Sequence, residues 1–117
     1  MAASKLNLPT VEKGATYRHS LFWKDSNNLP IDLTGCTARI QVRDSIDSPD
    51  VIIELSTTNN RITIDPLLGR IDLYISATDT SNLVGVSGVY DMEIHFTTGD
   101  IVRLIEGRLT FKAEVTR

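Results

Sequence analysis

Cys36 is the only thiol of the chain, and His19 and His95 are its only imidazoles. A cysteine nucleophile needs a base within reach and a thiolate stabilised near neutral pH. Cys36 instead follows Leu33-Thr34-Gly35 at the entrance to an alternating apolar run, where a small buried thiol fits well. His19 shares a face with Tyr17 and Leu21, the pattern of a hydrogen-bonded core or interface histidine. His95 alternates with Phe96 and is expected at the solvent or at an interface. Two histidines without a clustered carboxylate do not make a metal site. Asp25-Ser26-Asn27 opens like a calcium loop, but Leu29 takes the third oxygen position and no glycine or closing glutamate follows. A turn held by Asx hydrogen bonds is expected there. Asp91 and Glu93 lie two apart on a wet strand face, placed for cross-strand ion pairs rather than acid–base work. Nucleophile elbow, phosphate loop and dinucleotide fingerprint are all missing. These residues predict no enzyme, no metal and no cofactor.

The elements that would position them have period two. Ala38, Ile40 and Val42 alternate with Arg39, Gln41 and Arg43. The same rhythm returns in Val51, Ile53, Leu55, in Ile62 and Ile64, in Ile71, Leu73, Ile75, and in Tyr90, Met92, Ile94, Phe96. Strict alternation marks strands with one buried and one wet face. Tyr17, His19, Leu21 and Trp23 form an earlier face of the same kind. From Ile101 to Val115 the phase changes near Glu106-Gly107, which predicts a bulge or bend there. Asn59-Asn60 suits a tight hairpin, and Pro66-Leu67-Leu68-Gly69 and Thr98-Gly99-Asp100 supply further turns. Ser76 to Leu83 is the one helical candidate, a single capped turn. Seven to eight short strands at about ten-residue spacing predict an all-β sandwich. Residues 14–117 are expected to form that domain. Residues 1–13, with Pro9 and no alternation, read as an arm ordered by a neighbour. Its Leu6, Leu8 and Val11 are the candidate subunit contacts.

Composition narrows the function classes. The chain has 117 residues, 41% hydrophobic and 23% charged, values that suit one folded domain. Twelve basic and fifteen acidic residues leave a net charge of −3, unclustered, which disfavours nucleic-acid and anionic-membrane partners. Arg39, Arg43, Arg61, Arg70, Arg103 and Arg108 are spread over the strands, as on a salt-bridged surface. Apolar runs are short against the roughly 20 residues a spanning helix needs. The first residues lack a secretory apolar core, no Asn-x-Ser/Thr sequon occurs, and one cysteine cannot close an intrachain disulfide. Folding in a reducing cytosol is expected. Only Trp23 and Tyr74 are suited to stack on a sugar, since Tyr17, Tyr90 and Phe96 fit core positions.

Three patterns are less generic than the alternation. Leu29-Pro30-Ile31-Asp32-Leu33-Thr34-Gly35 precedes a strand carrying Arg39 and Arg43. Gly69-Arg70-Ile71-Asp72-Leu73-Tyr74-Ile75 leads into the capped turn. Gly88-Val89-Tyr90-Asp91-Met92-Glu93-Ile94 is followed by a glycine-aspartate turn and Val102 to Gly107. In this order they resemble small sandwich proteins of tailed bacteriophages, the collar and side-tail-fibre attachment family (LtfC-like). The Asp-Leu-Thr-Gly segment is also similar to the amino-terminal sandwich of baseplate upper proteins. The resemblance spans about residues 13–116 and implies an immunoglobulin-like fold. It further implies a structural role in the virion, in copies around a tail or portal axis, assembled in the host cytoplasm. The expected partners are other copies of the chain and tail, portal or fibre proteins. Capsid decoration and host-surface binding are the alternative expectations.

Overall fold

The alternating runs become strands of two facing sheets in the computed structural model, which describes residues 3–116. In chain order the strands are β1 (Ser4–Lys5), β2 (Val11–Glu12), β3 (Tyr17–Phe22), β4 (Thr37–Arg43) and β5 (Val51–Ser56). They continue as β6 (Ile62–Asp65), β7 (Arg70–Ile75), β8 (Ser87–His95) and β9 (Ile101–Lys112). One sheet has the order β3-β7-β6; the other runs β1-β9-β8-β4-β5, with β2 also on β9. Naming β3 to β9 as B, C, C′, D, E, F and G gives B-E-D against C′-C-F-G, the immunoglobulin arrangement. The fold is an immunoglobulin-like β-sandwich. Its only α-helix among the described residues is one turn, α1 (Ala77–Ser81), capped by the Ser76 side chain on the Asp79 N–H.

The inward positions fill the space between the sheets. Ile40, Val42, Leu73, Ile75, Met92 and Ile94 are all buried, together with Ile53, Leu55, Ile71, Leu109 and Phe111. Outward positions of β4 and β8 carry Arg39, Gln41, Arg43, Asp91 and Glu93. Two polar residues are buried as well, Ser56 and, with no exposure at all, Thr80 in α1. The Thr80 hydroxyl accepts from the Gly14 N–H (3.1 Å) and donates to the Ala15 carbonyl (2.9 Å). That pins the β2–β3 turn to the β7–β8 corner.

Three expectations are corrected. The phase change of the last run lies at Leu104, not at Gly107. Met92 faces Ile105 while Glu93 faces Arg103, so Leu104 is the extra residue of a bulge in one continuous strand. Gly107 has a different reason: a Cβ there would collide with the carbonyl of Leu6. Likewise Val42 faces Ile53 and Arg43 faces Val51, so a bulge at Ile52 turns Val51 out to 38% exposure. Asn59-Asn60 is not a hairpin but a crossing from one sheet to the other. The Asn59 amide does the work of a strand there. Its oxygen accepts from the N–H of Ser56 (3.0 Å) and Arg61 (3.1 Å), and its nitrogen donates to the Glu54 carbonyl (2.9 Å).

Candidate interaction surfaces

The expected arm is part of the sandwich. Met1 and Ala2 lie outside the described residues; from Ser4 the segment runs parallel to β9, with Ser4 beside Ile105 and Val11 beside Phe111. Leu8 is 7% exposed and Val11 not at all, both within the core of their own domain. These two are therefore closed to a neighbour, and only Leu6, at 39% exposure, keeps a share of its side chain outside. Side chains from the body hold the segment's backbone. The Tyr90 hydroxyl donates to the Leu6 carbonyl and the Tyr17 hydroxyl to the Pro9 carbonyl. Asn7 accepts the Arg108 N–H at 3.0 Å. Burial pushes the Tyr17 phenol up to about 12 and raises Tyr90 as well, so both stay protonated donors. Neither tyrosine's anchoring role was readable from its alternating position.

The groups with chemical potential do not converge. Cys36 packs half-buried against the core, and burial, followed by the Asp32 carboxylate, raises its thiol pKa. A thiol shifted in that direction is a poorer nucleophile at neutral pH. Asp32 is itself held below the usual carboxylate range by hydrogen bonds from the Thr34 hydroxyl and N–H. His95 lies 3.3 Å from Glu93, and His19 stands opposite Leu73 on β3. Asp25 accepts the N–H groups of Asn27 (2.9 Å) and Leu29 (3.0 Å), the expected Asx turn. Among the described residues no three His, Cys, Asp or Glu side chains gather as a metal site. No helix there is long and apolar enough to cross a membrane.

An open groove of about 500 Å³ crosses the outer face of β4, β8 and β9. Lys5, Arg43 and Arg103 line it against Asp91, Glu93 and Glu106, so its charges balance. Arg103 reaches Asp91 at 3.2 Å and Glu93 at 4.0 Å, the expected cross-strand pairing. Arg43 donates to Gln41 (2.8 Å) and to the Ser48 carbonyl (2.9 Å), and Arg39 meets Glu54 at 3.2 Å. Elsewhere Arg61 pairs with Asp79 at 2.8 Å, and Arg70 lies between Asp72 and Asp65. Such groups neutralise one another where they meet.

The sugar-stacking candidates are also engaged. Trp23 is half-buried and meets Phe96 edge-on, with ring centroids 6.1 Å apart. The Arg18 guanidinium sits 4.7 Å from the centre of the Tyr74 ring and occupies one of its faces.

At one end of the sandwich two loops are tied together. Trp23 donates its N–H to the Gly69 carbonyl (2.8 Å) and accepts from Ile31 (3.0 Å), while Leu33 donates to Pro66 (3.1 Å). These bonds draw the β3–β4 loop against the β6–β7 turn. Asn28, at φ 63°, turns the loop tip, and Leu29 follows it at 58% exposure. Beside it the β6–β7 turn presents Leu67 at 73% and Leu68 at 46%. Leu29, Leu67 and Leu68 are thus exposed aliphatic side chains on turns that backbone hydrogen bonds hold together. No family model and no curated protein matches this chain.

Proposed function

We propose that this chain is a structural subunit of a tailed-phage virion, placed in the tail or collar. It binds neighbouring subunits and holds a fibre or another tail component, without catalysis. The virion setting rests on the resemblance carried by the Leu29–Gly35, Gly69–Ile75 and Gly88–Ile94 segments. The binding role rests chiefly on the aliphatic loop end formed by Leu29, Leu67 and Leu68. The self-paired charges of the outer sheet face add to it, because they offer no reacting point and no cationic field.

The test is immunogold electron microscopy of tailed particles made in cells that encode the chain, with label against it. Label at the tail or collar is expected, and a Leu67→Glu, Leu29→Ser double variant should fold yet be lost from the particles. Label over capsid facets would replace the reading with capsid decoration. Particles without the chain would remove the virion role.

A further inference from the structure

We infer that the free edge of β3 pairs with the same edge of a second copy, antiparallel about a twofold axis at Ser20. This goes beyond the virion reading and stands or falls without it.

The backbone pattern identifies the edge. Tyr74 donates its N–H to Arg61, on the β6 side of β7. Successive residues of a strand point their backbone groups to opposite sides, so Ile71, Leu73 and Ile75 face β3. Their partners Leu21, His19 and Tyr17 therefore face β7, and Arg18, Ser20 and Phe22 face away. No hydrogen bond engages the backbone N–H or C=O of those three among the described residues. An unpaired row of this kind is a template for another strand.

The alternatives are closed or short. On β5, equal in length to β3, the Asn59 amide and the Arg61 guanidinium take the outward Glu54 carbonyl and Ser56 N–H, and the Ile52 bulge interrupts the strand further on. β1 and β2 have two residues each and β6 has four. Burial points the same way. The inner positions of β7 are sealed, whereas His19 and Leu21, inner positions of β3, are only half-buried. Phe22, at 58% exposure, stands on the outer face opposite Arg70 of β7, with no strand on its other side.

A second copy of β3 fits this edge in one register. With Ser20 opposite Ser20, the outward residues form hydrogen-bonded pairs, Arg18 to Phe22 twice and Ser20 to Ser20 once. Each Arg18, whose guanidinium rests on Tyr74 of its own chain, then faces Phe22 of the other copy, and no like charges face each other. On the inner side each Leu21 meets a His19. The two three-stranded sheets become one continuous sheet of six.

Sedimentation velocity on the full chain, over a concentration series reaching hundreds of micromolar, tests this pairing. A concentration-dependent species of twice 13.0 kDa is expected. Ser20→Pro removes an outward N–H, at a position where an edge strand tolerates proline, together with the exposed hydroxyl bond to Asp72, and should give a monomer throughout. Phe22→Lys, at an exposed site, sets lysine opposite arginine and should do the same. Circular dichroism shows whether each variant is folded; if Ser20→Pro is not, Phe22→Lys decides alone. A wild-type chain that stays monomeric, or a dimer that persists in either folded variant, overturns the inference.

Discussion

The Tyr90 hydroxyl donates to the Leu6 carbonyl, tying the middle of β8 to a segment 84 positions earlier. Gly107 lies beneath the same carbonyl, where any side chain would intrude. Tyr90→Phe leaves that acceptor without its donor and should cost about 1–3 kcal/mol in denaturant unfolding. Gly107→Ala should reach the same result by displacing the carbonyl. In both variants amide exchange at Leu6, whose N–H donates to Glu106, should accelerate more than exchange in β4. Unchanged exchange at Leu6 would show that the segment is held by something else.

Alkaline pH should release the segment. Burial favours the neutral phenol of Tyr17 in the folded chain, so its contribution is complete below the ordinary value of 10.0 and drains away as pH rises through about 12. Tyr90 shifts in the same direction for the same reason. Unfolding followed by tyrosinate absorbance should show late, cooperative ionisation of both phenols. Titration of Tyr17 and Tyr90 at the ordinary value in the folded chain would contradict it.

Core truncations should be severe. Ile40 and Leu73 are 1% and 2% exposed, one in each sheet. Replacing either with Ala should cost about 2–5 kcal/mol by lost burial and the cavity left behind. Loss below about half a kcal/mol at both sites, read from urea melts, would mean that the inward faces are assigned wrongly.

Cys36 should behave as packing. Its raised thiol pKa predicts slow alkylation at neutral pH in the folded chain, faster as pH rises. Cys36→Ala should leave the fold and self-association intact. Alkylation of the folded thiol faster than that of the denatured chain would mark an activated residue instead.

The seven principal strands were legible because period two is written by side chains one residue apart, as in Ala38, Ile40 and Val42. The turn at Pro66–Gly69 and the Ser76 cap were legible for a similar local reason. What escaped was non-local. β1 and β2 are two residues long, too short for any period, and they owe their form to β9, about a hundred positions away. The bulges at Ile52 and Leu104 change phase without a glycine to mark them. Asn59 has the residue type of a hairpin, yet its amide bonds to a strand edge, which only the fold brings near. Of the candidate contacts, Leu8 and Val11 looked external because nothing local shows that Tyr17 and Tyr90 fasten the segment alongside β9.

The parallel seat of β1 and β2 on β9 also sets an order of events. Ribosomal synthesis delivers residues 4–12 about a hundred positions before their partner strand, so Leu8 and Val11 must wait in water until Phe111 has emerged. Every contact that secures them spans a long loop, and closing such loops is slow compared with forming the β6–β7 hairpin. A nascent chain halted before β9 would therefore carry two unsheltered aliphatic residues and an uncovered β8, the kind of intermediate that associates wrongly. Completion of the domain and concealment of its leading segment are one step.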